Sequence, residues 1–444
     1  MRFERSPRLR VVAIADADSF VKWAAHLLDT VPDASRHLLL VRTPLCVSVD
    51  QQRAALAGTA FDDGRVTRID HESLAAWLAR DRPDVVVVSG RGPFVRLVQR
   101  EIDRVHPRPV VVTGLPGISI PAQRGAALYR RHSDLMVVHS RRELRAFGEL
   151  GRRLGAPLHL GLATLPYARR QYGGSGGTDL VFAAQAIVPR ESGDRRALAD
   201  ILRRAALADP TRRVVVKLRS RPDRGETETH HETTAYAELL ADRPENLVFS
   251  YAPMAEALAG AEGLVTVSST AAIEAMARGI PVIALDTFGV RKAHLNTAFA
   301  GSGVLGSADD VVARRFRHPH PLWMRDNYFH DPAESTWWTE VVDLVARRRH
   351  GLLPARPIPR PRGGALHAAW QRKSVLGAED HTLAGSVAMT VATPLVGVAL
   401  TLRRLRGRRG AMTWSDETTD FTVSPARYQD PIIRRRRPAL AGIE

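Results

Sequence analysis

The chain alternates between short apolar runs rich in β-branched residues and longer stretches with helical periodicity. Val11 to Ala15, His37 to Val41, Asp84 to Ser89, Pro109 to Thr113 and Leu135 to His139 are runs of the first kind. Phe20 to Asp29, Leu74 to Arg80, Phe94 to Val105 and Arg141 to Leu150 are of the second. A run that is apolar at every position must be covered on both faces, which parallel strands joined by crossover helices achieve. Such alternation predicts an α/β, Rossmann-like doubly wound domain.

The pattern then repeats. Tyr172 to Gly177 reads YGGSGG, a flexible joint by composition, and a second series follows it. Leu180 to Ala183, Arg213 to Leu218, Leu247 to Phe249 and Leu264 to Val267 are strand-like; Arg195 to Ala208 and Thr234 to Leu240 are helix-like. Asp309 to Ala346 is expected to close this half. The reading is a first Rossmann-like domain over 1–172, a linker over 173–177, a second Rossmann-like domain over 178–350 and a tail over 351–444. Two such halves face each other across a cleft, and α/β sheets bind ligands at the C-terminal ends of their strands.

Val265 to Ala284, VTVSSTAAIEAMARGIPVIA, carries the most chemistry. It reads as strand, turn, short helix and strand, with Gly279 and Pro281 closing the helix. Ser268, Ser269 and Thr270 supply hydroxyls and N–H groups where the helix begins, a place suited to phosphate. Glu274, one turn on, is placed to accept hydrogen bonds from a ribose. An ordinary capped βαβ unit would read the same way.

Arg213 to Arg219, RVVVKLR, is a strand ending in cations. Lys217 and Arg219 would stabilise a leaving phosphate if this strand neighbours the Ser269 turn. In the first half Asp16, Asp18 and Lys22 follow the first strand and are the candidate catalytic groups, an aspartate serving as general base. Asp18 or Ser19 would instead cap the helix. Gly90 with Gly92 and Gly114 with Gly117 mark turns after two further strands. His132 and His139 flank another strand, where a hydrogen-bonded structural role is the ordinary one. Neither His230-His231 nor His318-Pro319-His320 has zinc-site spacing, and no bound metal or resident cofactor is expected.

Charge is uneven. Of the net +17, Gly351–Glu444 carries +8, from 15 Lys and Arg against 7 Asp and Glu. The remaining +9 suits a phosphate-handling protein, and no nucleic-acid module accompanies it. Only Lys22, Lys217, Lys292 and Lys373 are lysines among 64 basic residues. One cysteine, Cys46 in an expected strand, excludes a disulfide framework and favours a reducing cytosol. No secretory signal opens the chain.

The tail begins with a Pro/Arg-rich spacer over Leu352 to Gly364, with the globular part expected to end near Arg349. Thr382 to Leu402 is 21 residues without a charge, followed by Arg403-Arg404-Leu405-Arg406-Gly407-Arg408-Arg409. This apolar helix could span, lie on an anionic membrane surface, or pack on the protein.

With these residues in view, Arg10 to about Arg349 resembles the two-domain GT-B glycosyltransferases. Leu264 to Val282 is similar to the donor-site signature of capsular-polysaccharide transferases of the Kdo and sialic acid type. Ala13 to Trp23 with Gly114 to Ile118 resembles an actinobacterial family described as glycosyltransferases of unknown function. The resemblance implies a metal-independent transfer in cell-surface polysaccharide or glycolipid synthesis, from a nucleotide-sugar co-substrate to a saccharide or lipid-linked acceptor. Ser268 to Thr270 would hold the phosphate and Glu274 the ribose. The His-Pro pair of sialyltransferases with this fold is replaced by Lys217-Leu218-Arg219, which counts against a CMP-sugar and leaves UDP- and GDP-sugars open. A nucleotide-sugar 2-epimerase and a non-catalytic, membrane-associated binding protein of the same fold are the alternatives.

Overall fold

Each apolar run named above is a strand in the computed structural model, which describes residues 8–45, 47–61, 63–168, 176–218, 234–356, 358–359 and 364–391. The first half contains β1 (Leu9–Ala15), β2 (Ala34–Val41), β3 (Val66–Ile69), β4 (Val85–Ser89), β5 (Val110–Gly114), β6 (Leu135–Val138) and β7 (Leu160–Leu162). They form one parallel sheet in the order β3-β2-β1-β4-β5-β6-β7. The second half contains β8 (Asp179–Ala183), β9 (Val214–Lys217), β10 (Leu247–Ser250), β11 (Ala261–Thr266), β12 (Val282–Leu285) and β13 (Leu305–Gly306). Its parallel order is β10-β9-β8-β11-β12-β13. Both halves thus wind in the dinucleotide-fold order, reversing direction between β1 and β4 and between β8 and β11.

Strand periodicity explains the layering, because successive side chains point to opposite faces. Val11, Ala13, Val85 and Val87 face a core built with Phe20, Trp23 and Leu27 of the helix Asp18–Leu28. Val12, Ile14, Val86 and Val88 face Leu74, Phe94, Val95 and Val98 on the other side. In the second half Leu180 and Phe182 pack with Leu198 and Leu202, whereas Val181 and Ala183 pack with Ile273 and Met276.

Two boundaries differ from expectation. The helix Trp337–Arg349, expected to close the second half, instead returns to β5, β6 and β7. Trp337, Val341, Leu344 and Val345 complete the first core there, so the lower face of that sheet depends on the end of the domain-sized alternation. Nor does the folded body end near Arg349. Arg356 pairs with Asp134, and the helix Gly364–Leu376 packs against the helix Gly92–Ile102 with Leu376 fully buried. Cys46, Arg219, the residues 169–175 that include most of the joint, and the tail beyond Val391 lie outside the described residues.

Candidate functional site

The end of β1 places Asp16 at the first crevice. It is 0% exposed, and neither carboxylate oxygen has a hydrogen-bond partner among the described residues. Burial pushes its pKa up to about 7, while the Arg91 charge from the turn after β4 pulls the other way. Ala17, not Asp18 or Ser19, is the cap residue of the next helix, because the chain is still extended there. Asp18 is therefore the first helical residue, where an acid complements the helix dipole. Lys22 stands one turn further on the same face.

The surrounding turns are held by buried polar groups. Arg130 donates to Gly90 O at 2.8 Å and Gly114 O at 3.2 Å, tying the turns after β4 and β5 together. Burial lowers its pKa to about 10. Trp23 Nε1 donates to His139 Nε2 at 2.7 Å, so the ring proton sits on Nδ1 and is donated to Ala163 O at 3.0 Å. Desolvation lowers His139 to about 4, which makes it the neutral structural histidine expected from the sequence. A Cβ on Gly114 would lie 2.3 Å from the Trp23 ring, so glycine is needed for this approach.

In the second half the turn after β11 is more fully bonded than the sequence suggests. Ser268 N donates to Gln185 Oε1 at 2.9 Å, and Gln185 Nε2 donates back to Ser268 Oγ at 3.2 Å. Ser269 N donates to Thr266 Oγ1 at 3.1 Å and Ala271 N to Ser269 Oγ at 3.2 Å. Thr270 N alone of the expected free donors in this turn carries no hydrogen bond among the described residues. The helix Ala271–Ala277 then ends as expected at Gly279, with φ +73°. Ile280 N reaches Ala275 O at 2.9 Å and Gly279 N reaches Met276 O at 3.1 Å, the paired bonds of a Schellman end.

The two crevices meet. Lys22 Nζ lies 3.1 Å from Glu274 Oε1, with the carboxylate side chain 16% exposed. Ile118 N donates to Thr270 Oγ1 at 3.3 Å, and a Cβ on Gly117 would lie 2.4 Å from that oxygen. Lys22, Thr270 and Glu274 are thus brought together. Lys217 stands on β9, which β8 separates from β11 by about 10 Å of backbone at ordinary strand spacing. Its ammonium donates to the backbone carbonyl of Leu218. Arg219 lies outside the described residues.

A buried clamp sets how the halves sit. Glu143 Oε1 accepts from Ser119 N at 3.0 Å and from Tyr328 OH of the second half at 2.9 Å; Oε2 accepts from His139 N at 2.7 Å. Burial raises Glu143 to about 7 in spite of these donors. Arg142 donates to Ala298 O and Thr297 O at 2.9 and 3.0 Å, and Arg145 takes Asp326 in a two-pronged pair at 2.8 and 2.6 Å.

Gln185, Arg130 and the Glu143 clamp were not singled out in the sequence. Gln185 had a signal, since it follows β8 at the point where the winding reverses. Among the described residues no group of three or more His, Cys, Asp or Glu is placed to hold a metal ion.

Residues 11–344 match the model of a family described as "Putative glycosyltransferase (DUF6716)". No curated protein matches the chain in sequence. Among solved structures, the S. aureus MnaA–UDP co-structure shares 10% identity, covering 80% of this chain and 100% of that one, with a TM-score of 0.49. A UDP-GlcNAc 2-epimerase from Neisseria meningitidis bound to UDP-GlcNAc shares 12%, covering 75% and 99%, with a TM-score of 0.47. A ugt transferase from Siraitia grosvenorii in complex with UDP shares 12%, covering 82% and 98%, with a TM-score of 0.40.

Proposed function

The chain belongs to the DUF6716 family, and from that premise we propose that it moves a sugar from a nucleotide-sugar donor in the second half to an acceptor in the first. The observation that carries this reading is the meeting of Lys22 and Glu274 at 3.1 Å across the cleft. It puts a cation and a carboxylate at two facing sheet edges of the kind that bind ligands. Glu274 exchanges Lys22 for the ribose hydroxyls of the donor. Lys22, released, turns to the phosphate, with the hydroxyls of Ser268, Ser269 and Thr270 and the Thr270 N–H completing the cradle.

In the reaction the acceptor hydroxyl oxygen bonds to the anomeric carbon while the bond from that carbon to the donor phosphate oxygen breaks. The hydroxyl proton passes to the Asp16 carboxylate, and the electron pair of the broken bond leaves with the nucleotide. Negative charge grows on the leaving phosphate, where a preorganised cation and donors lower the barrier most. Asp16 suits the base because its pKa of about 7 balances ionised fraction against basicity. Asp18 supports the helix start, and Lys217 remains a structural cation at the end of β9. The nucleotide-sugar is a co-substrate; no metal or resident cofactor enters this scheme. The acceptor is a saccharide or lipid-linked saccharide, and the compartment is the cytoplasm.

Thermal denaturation with UDP, GDP and CMP tests the reading. One of them raises the midpoint, and Lys22→Ala and Glu274→Ala each abolish the rise. No shift with any nucleotide overturns the proposal, and sugar isomerisation from donor alone would make the protein an epimerase.

A further inference from the structure

The start of the tail is mounted on the first half in a way that turns its apolar side outward. Val375 packs against the core beneath the helix Gly92–Ile102, and Arg100 donates to Gln371 Oε1 at 3.4 Å. Asp380, 1% exposed, pins the following turn. Its carboxylate accepts from Arg372 Nε at 3.1 Å, Thr382 N at 3.1 Å and Thr382 Oγ1 at 2.7 Å, and Lys373 Nζ donates to its carbonyl at 2.8 Å. Residues 383–391 then run as a helix. Its buried positions are Gly385 and Ala388, and a Cβ on Gly385 would lie 2.3 Å from Asp380 Oδ2. Leu383, Val387 and Val391, one turn apart along a single stripe, are 85%, 58% and 47% exposed.

A helix on a protein facing only water buries its large apolar residues and exposes small or polar ones. This one does the reverse, so what covers the stripe lies outside the described fold. The sequence says what kind of surface that is. From Thr382 to Ser415 there is no acidic residue, and Arg403, Arg404, Arg406, Arg408 and Arg409 follow directly on the uncharged run. An apolar stripe followed in the sequence by a purely basic segment complements an anionic lipid surface, where apolar contact and headgroup charge act together. Among the described residues no helix is long and apolar enough to cross a membrane.

We propose that the Leu383–Val387–Val391 face docks on an anionic membrane and so presents the first half to it. If the glycosyl-transfer reading above holds, the half presented is the acceptor side, and the acceptor is lipid-linked. The docking itself stands without that reading.

Sedimentation of the full chain with phosphatidylcholine vesicles, with and without phosphatidylglycerol, tests it. The protein binds the mixed vesicles in low salt and is released as salt rises. Leu383→Ser, Val387→Ser and Val391→Ser combined weaken binding about tenfold, as does replacing the five arginines by glutamine. On vesicles, amide exchange slows in 383–391 and is unchanged in β8–β13. All three serines are at exposed positions, so the nucleotide-induced thermal shift stays intact in that variant and separates failure of docking from failure of the donor reading. No binding to mixed vesicles, or equal binding of the serine variant, overturns the proposal. So does a dimer in free solution that the serine changes dissociate, which would assign the stripe to a second copy.

Discussion

Asp16 holds a carboxylate with no exposure and, among the described residues, no hydrogen bond at the end of β1. Burial lifts its pKa from 3.8 to about 7, and the sign of the consequence follows. Between these values the native state keeps a proton that the unfolded chain has lost. The stability this represents is complete below the unfolded value and is lost as pH rises through the folded one. The gap is worth ~4 kcal/mol. Urea unfolding is therefore expected to show stability falling from about pH 4 to about pH 7, with Asp16→Asn flattening much of the slope. Glu143, also raised to about 7 by burial, keeps the remainder. Turnover moves the opposite way, rising through neutrality as the base ionises, and Asp16→Asn lowers kcat by about a hundredfold or more. A steep stability slope that persists in the variant would show that Asp16 is not the buried acid responsible. The sequence placed Asp16 at this edge, but the burial that raises its pKa belongs to the folded protein.

At the scale of elements, the turns after β5 and β11 touch only because Gly117 has no side chain. Gly117→Ala sets a methyl against Thr270 Oγ1 and is expected to cost about 1–3 kcal/mol as overpacking. Thr270→Ala in the same chain removes the obstructing oxygen and should recover most of that cost. Additive costs in the double-mutant cycle would mean that the two turns do not meet in solution. The long apolar strands here were legible because burial on both faces leaves a continuous signal. Three of the four edge strands were not: β3, Val66–Ile69, buries only Ile69, β7 has three residues and β13 two. The Schellman end at Gly279 was legible too, since a left-handed position calls for glycine. The bonds that fill the Ser268 turn were not, because Gln185 comes from another strand.

For the molecule as a whole, the helix Trp337–Arg349 makes the first half depend on the far end of the second. Leu344, 5% exposed, sits in the first core among residues of β5 and β6. Leu344→Ala is expected to cost about 2–5 kcal/mol. Amide exchange should accelerate in β5, β6 and β7 while β8–β13 stay protected. Acceleration confined to β8–β13 would return the helix to the half in which the sequence put it. The Arg142, Arg145 and Glu143 contacts across the halves belong to this scale as well, since they hold Lys22 within reach of Glu274.

The sequence by itself determined the alternation, the two parallel sheets and the residues that emerge at their C-terminal ends. Each of those rests on periodicity and turn chemistry readable within a few residues. Only the tertiary structure decided which edges face each other. Lys22 and Glu274 are 252 residues apart, and their pairing leaves no local pattern. Strand order likewise separated Lys217 from the Ser268 turn, because winding outward from β8 in two directions puts sequence-adjacent strands on opposite sides of it. The uncharged run of the tail was visible in the sequence, and the outward direction of its apolar stripe was set by the Asp380 turn and by the small residues that let the helix settle on the first half.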